Sequence, residues 1–165
     1  MHYWQISSVK IDSMTDKARD EMIAKLRKSN PALAKKLEKV DWKAVTAHVA
    51  KEALQMVAAE EKANLTATYD NSGHRTNHES DTLGVLSKDG CQLGVAMTKD
   101  GTLSFYQNGR SNDYGSAQLD RWRKKFNEAY RVRAYAAVLE ILGKKVTVVK
   151  DESGAYVIKA KVEVK

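Results

Sequence analysis

Two histidines, His74 and His78, stand among Asp70, Glu79 and Asp81, side-chain types that ligate transition metals. A zinc site wants such ligands deprotonated and held tetrahedrally on rigid elements. Here they fall in a polar stretch without hydrophobic period, residues 66–82, with no cysteine beside them. A solvated loop is the expected reading, and no metal is assigned. The single cysteine, Cys91, directly follows a tight turn, without the basic or helix-start surroundings that lower a thiol pKa. His48 lies between Val45 and Val49 in a helical pattern, which marks it as a semi-buried structural residue. Gly84 and Gly94 sit inside strand-like runs, where glycine marks a bulge or close packing and not a phosphate loop. No catalytic residue and no cofactor are expected, so the chain reads as a non-enzyme.

The charge is more informative. The chain carries a formal +7, and residues 118–150 hold nine basic groups against three acidic ones. Nearly all of the excess therefore comes from one fifth of the sequence. Clustered positive charge is the electrostatic footprint of nucleic acid or another acidic partner, set against the plainer reading of a solvated helix face. Arg121, Arg123, Lys124, Lys125, Arg131 and Arg133 are the candidate anion contacts, with Arg75 and Arg110 as helpers from the two polar loops. Trp122 and Tyr130 have rings that stack on unpaired bases. Their spacing with Phe126 is that of a core, and burial is the stronger expectation.

These residues need elements to position them. Residues 118–142 carry Leu119, Trp122, Phe126, Tyr130, Ala134, Ala137 and Ile141 at helical spacing, with Gly143 as a stop. On this projection Arg121, Lys124 and Lys125 lie in water opposite the stripe, and Arg123 and Arg133 on its flanks. Upstream, Lys88-Asp89-Gly90 and Lys99-Asp100-Gly101 separate three apolar runs, at 83–86, 93–97 and 103–106. Asp-Gly supplies the positive φ angles of a tight hairpin turn, which predicts a three-stranded meander. His2 to Asp12 reads as a strand whose phase switch requires a bulge near Ser7-Ser8. Helices are expected after Ser13 or Thr15, which are candidate caps, then from Pro31, and from a cap at Asp41 to about Asn64. Met22, Ile23 and Leu26 face inward in the first, and Trp42, Val45, Val49, Ala53, Met56 and Val57 in the last. A strand near Thr66–Tyr69 would shorten the polar loop. At the C-terminus Val146 and Val148 precede a turn at Asp151–Gly154. Tyr156, Ile158, Ala160, Val162 and Val164 then alternate with Lys159, Lys161, Glu163 and Lys165, giving a half-buried hairpin with a charged outer face.

The resulting order predicts a single α+β domain over residues 1–165, with a helical insertion at about 31–64. Its antiparallel sheet is built from the meander, the N-terminal strand and the C-terminal hairpin, with helices packed mainly on one face. No run approaches the roughly 20 apolar residues of a membrane helix. The opening residues lack the layout of a signal peptide, and one cysteine allows no internal disulfide, so a cytoplasmic setting is expected.

Met1-His2-Tyr3-Trp4-Gln5-Ile6, the pair of runs from Met97 through Asp100-Gly101 to Phe105, and Ala129-Tyr130, Leu139, Gly143, Val146-Thr147-Val148, Gly154 and Val157-Ile158 carry a resemblance. In these motifs the chain resembles the hypothetical chloroplast reading frame thirty-five family, domains of unknown function from plastids, cyanobacteria and other bacteria. The resemblance covers residues 2–11 and about 83–162; residues 31–64 and 66–82 depart from it. It implies the α+β fold and no activity. The functional expectation from the residues themselves is a binding protein whose basic helix engages an acidic partner, nucleic acid or protein. The alternative is an assembly subunit that pairs through an apolar or sheet-edge surface, its positive charge incidental. Oligomeric state is left open.

Overall fold

The computed structural model of the chain describes residues 5–10, 14–67, 82–108 and 113–162. They gather into two compact units, Met1–Asp12 with Ala50–Ala129, and Ser13–Val49 with Tyr130–Lys165. The fold is α+β, with strands β1 (Gln5–Lys10), β2 (Asn64–Thr66), β3 (Thr82–Lys88), β4 (Cys91–Met97), β5 (Leu103–Asn108), β6 (Lys144–Lys150) and β7 (Tyr156–Val162). The helices are α1 (Met14–Ser29), α2 (Pro31–Glu38), α3 (Trp42–Glu61) and α4 (Asp113–Ile141).

The first unit is organised by a five-stranded antiparallel sheet in the order β1-β5-β4-β3-β2. The expected meander is its centre, and β1 joins it along β5 with an irregularity between Ser7 and Lys10, where the sequence pattern needs a bulge. β2 begins at Asn64, not near Thr66, because α3 ends at Glu61 and the chain reverses at Lys62, whose φ is 53°. The two Lys-Asp-Gly turns are not equivalent. Asp89 and Gly90 both take positive φ, 53° and 78°, and form the two-residue turn that joins Lys88 to its partner Cys91. At the second turn only Gly101 does so, at φ 89°. There Gly101 N–H donates to Thr98 C=O at 3.0 Å, and Thr98 N–H to Thr102 C=O at 2.8 Å. The Asp100 carboxylate accepts from the Thr98 hydroxyl and the Thr102 N–H. Those bonds hold its pKa below the usual carboxylate range. The side chain does here what a second left-handed residue does in the first turn.

Helices cover one face of this sheet. Gly84, Val95 and Phe105 are cross-strand partners, so they share a face. Phe105 meets Phe126 of α4 edge-on, ring centroids 5.4 Å apart at 77°. Gln118 Nε2 donates to the Lys88 carbonyl at 3.0 Å, tying α4 to the first hairpin. At Gly84 the reason for glycine is space: a Cβ there would stand 2.9 Å from Leu54 Cδ1 of α3 and 3.2 Å from Leu65 Cδ1. Leu54 is fully buried, so it has little room to give. Gly84→Val is therefore expected to lower unfolding free energy by about 1–3 kcal/mol through overpacking, with Gly84→Ala milder. Urea titration at fixed pH checks this, and equal stability of Gly84→Val and wild type would refute the close approach. On the opposite face Val85, Ala96 and Tyr106 form a second buried cluster.

In the second unit, Ile23, Leu37, Trp42 and Val138 form the core, flanked by Met22, Leu26, Val40, Val45, Ile141 and Leu142. This core holds the expected inward residues of α1, with Trp42 and Val45 of α3; of the other residues expected inward on α3, Val49, Ala53 and Val57 are buried and Met56 is half-buried. The Asn30 side chain accepts from the Leu33 N–H at 3.2 Å, with Pro31 opening α2. Asp41 caps α3 through the Ala44 N–H at 3.1 Å. Ser13 lies outside the described residues, while Thr15 is inside α1 and not its cap. The expected C-terminal hairpin forms, but it does not join the antiparallel sheet as the sequence reading has it: β6 and β7 hydrogen-bond with each other and with no other described strand, as a separate two-stranded sheet. The turn between them repeats the Asp100 arrangement, with Asp151 Oδ1 accepting from the N–H groups of Ser153 and Ala155.

Candidate functional site

α4 begins at Asp113, five residues before the sequence pattern starts. Of the expected stripe, Leu119, Trp122, Phe126, Tyr130 and Ala134 are buried, joined by Ala129, Ala136 and Val138, while Ala137 and Ile141 are half-buried. Trp122 and Tyr130 are inside the protein and present no ring for stacking.

The basic residues have less uniform surroundings than the helical projection suggests. Arg121 Nε donates to Glu61 Oε1 at 2.6 Å, and Lys125 Nζ lies 2.8 Å from Glu60 Oε1 and 3.6 Å from Glu61 Oε1. Lys125 is half-buried, its side chain 29% exposed, where the projection puts it fully in water. Arg121 and Lys125 are one turn apart on α4, and both reach the last turn of α3. That turn carries two carboxylates at the negative end of a helix dipole, an unfavourable placement that nearby cations relieve. Lys88 adds a further tie, its Nζ donating to the Glu61 carbonyl at 2.9 Å. Burial pushes the Glu61 carboxyl up, but the Arg121 hydrogen bond and the nearby Lys125 charge outweigh it and hold its pKa below the usual value. Arg123, also half-buried, donates to Asp120 and to Gln107 of β5. Three of the six helical cations are thus engaged within the first unit.

Lys124 is exposed beside them. Arg131 and Arg133 belong to the second unit, the former exposed and the latter half-buried. Glu128 follows Lys124 by four residues and precedes Arg131 by three, the spacings at which helical charges offset each other. Arg75 and Arg110 lie outside the described residues, as do Asp70, His74, His78, Glu79 and Asp81.

Sequence reasoning could not see Glu60 and Glu61 as partners of α4, because they lie 60 and more residues away. Nor does it single out Lys159 and Lys161 as site residues, although their alternation is a usable signal. His48 is exposed and not semi-buried, since α3 turns it away from the Val45–Val49 side. Cys91 is buried at the start of β4, its Sγ 3.9 Å from the Gly115 carbonyl. Among the described residues no group of three or more His, Cys, Asp or Glu side chains is placed to hold a metal ion. No described helix is long and apolar enough to cross a membrane. Compared with protein-family models, curated proteins and solved structures, the chain matches none.

Proposed function

We propose that this is a non-enzymatic binding protein that holds an acidic partner through exposed cations on and after α4. One observation carries the reading. The positive excess of residues 118–150 divides into a part that meets carboxylates, Arg121, Arg123 and Lys125, and a further part that includes Lys124, Arg131, Lys144 and Lys145, all exposed. The carboxylate-bound part joins elements. The further part is what an anion meets. Exposed cations of this kind bind polyanions with strong salt dependence and little sequence preference.

The assembly alternative draws no comparable support. The large apolar side chains exposed among the described residues are Leu65, Tyr135 and Val157, on three different elements. Scattered single residues of this kind are ordinary surface, not a patch.

The test is binding of heparin, duplex DNA and an acidic polypeptide across salt, read by fluorescence anisotropy. Wild type is expected to bind at 50 mM salt and weaken linearly in log salt. Lys124→Glu with Arg131→Glu is expected to weaken binding about tenfold or more, on the order of 1 kcal/mol for each ionic interaction with a phosphate that is removed. These two are the informative reversals, because reversing Arg121 or Lys125 would set a carboxylate against Glu60 and Glu61. No binding of any polyanion at 50 mM salt would overturn the proposal.

A further inference from the structure

The C-terminal hairpin carries a face whose side chains are chosen by register. β6 and β7 pair so that Lys145 is opposite Lys161, Thr147 opposite Lys159, and Val149 opposite Val157. Directly paired residues share a face, and so do residues two apart on a strand. Lys145, Thr147, Lys159 and Lys161 therefore form one continuous surface, and all four are exposed. The other face is the apolar one: Val146, Val148, Tyr156 and Ile158 are all half-buried there, and Lys150 Nζ sits 4.9 Å from the centre of the Tyr156 ring.

Like charges directly opposite on an antiparallel pair destabilise it, with Cβ atoms about 5 Å apart. Lys145 and Lys161 are such a pair, and Lys159 lies two residues from Lys161, roughly 7 Å along the strand. No carboxylate among the described residues of the two strands offsets them, since Asp151 and Glu152 lie in the turn. Glu163 and Lys165, of opposite sign, continue the alternation in the sequence and lie outside the described residues. The three lysines thus repel one another until a polyanion relieves them.

The geometry points to the phosphate backbone of a nucleic acid as the occupant of this face. The inference rests on the acidic-partner reading above and names both the partner class and the place. Charge complementarity selects an anion, and the composition selects a nucleic acid over an acidic protein. Protein interfaces are anchored by aromatic and apolar side chains and are depleted in lysine. This face has no aromatic among its described residues, and its apolar members are two valines at the turn end. Lysine binds phosphate as a point charge, and a threonine hydroxyl adds a hydrogen bond to a phosphate oxygen. A two-stranded ribbon is also a shape that the major groove of a duplex admits. Without a ring to stack or a planar fork to read a base, the face binds backbone and not sequence.

The experiment is a salt titration of full-length protein with a duplex DNA of arbitrary sequence. Wild type is compared with a triple variant, Lys145→Gln, Lys159→Gln and Lys161→Gln, and with Lys124→Gln/Arg131→Gln. Glutamine keeps the polar stem and removes the charge, and a thermal melt confirms that each variant folds. In the triple variant the slope of log affinity against log salt is expected to fall by about 2–3, one unit for each phosphate neutralised. A scrambled duplex should bind equally, and saturating duplex should raise the melting temperature of wild type more than that of the triple variant. A triple variant that binds duplex with the wild-type slope overturns the inference. If the Lys124/Arg131 variant alone loses binding, the acidic-partner reading survives without the hairpin. If wild type binds the acidic polypeptide but not duplex, the nucleic-acid assignment falls and that reading stands. An unfolded triple variant moves the test to Lys159→Gln alone, in which an unchanged slope is the overturning result.

Discussion

Trp122→Ala is expected to lower the unfolding free energy by about 3–5 kcal/mol, a large fraction of a typical domain's 5–15 kcal/mol. In a chain of this length that is a fall in melting temperature of roughly 6–20 °C. Trp122 is fully buried and is the largest of the fully buried side chains among the described residues, so truncation leaves a void that packed neighbours cannot close. The indole also carries a second, separable effect. Its Nε1–H finds no acceptor among the described residues. The buried Trp42, by contrast, donates from Nε1–H to the Leu37 carbonyl at 3.0 Å. A buried donor left without a partner costs about 1–3 kcal/mol. Trp122→Phe removes that donor while keeping most of the volume, and is expected to stay within about 1 kcal/mol of wild type. Trp42→Phe, which strands the Leu37 carbonyl, should be clearly worse. Chemical denaturation of the three variants gives the comparison. If Trp122→Phe cost as much as Trp122→Ala, the orphaned donor would not explain the site.

Neutralising the end of α3, by Glu60→Gln with Glu61→Gln, is expected to cost about 1–2 kcal/mol at neutral pH, because it removes the charge partners of half-buried Lys125 and of Arg121, whose side chain is 48% exposed and so more strongly screened. The carboxylates are only partly exposed, Glu61 at 13%, so solvent screens these pairs less than it would on an open surface. The pH dependence has a definite sign. The folded-state pKa of Glu61 lies below its ordinary 4.5, so its contribution is fully present above about pH 4.5. It fades as pH falls through the folded value, because the unfolded chain takes up the proton first. Asp100 and Asp151, also depressed by their turn hydrogen bonds, act in the same direction. Unfolding free energy measured from about pH 7 to pH 3 should therefore fall for both proteins, and less steeply for Glu61→Gln. The Glu60/Glu61 double variant releases Arg121 and Lys125 and should bind polyanions more tightly at low salt. A parallel acid limb in variant and wild type would show that the Glu61 pair contributes nothing.

Short-range patterns were legible where one local rule decided the outcome. The bulge after Ser7 follows from a phase switch in alternation, and the caps at Asn30 and Asp41 from side chains placed before helical runs. The two Lys-Asp-Gly turns mark the limit of such reading. Three identical residues give two backbone solutions, because Asp100 has Thr98 and Thr102 to bind and the first turn closes in two residues. Charge was legible as a total and a location along the chain, but not as a surface.

By itself the sequence determined the helices, the meander, the terminal hairpin and the buried stripe of α4. Periods of 3.6 and 2 and local turn chemistry act over a few residues, and nothing distant overrides them here. Only the tertiary structure decided which positive charges meet carboxylates. Arg121 and Lys125 stand on the polar side of α4 in any projection, yet they meet Glu60 and Glu61 across 60 and more residues of chain. Lysines 145, 159 and 161, separated in sequence by a turn, become one face because register sets cross-strand neighbours. An ion pair depends on distance in space, which a one-dimensional charge count does not contain.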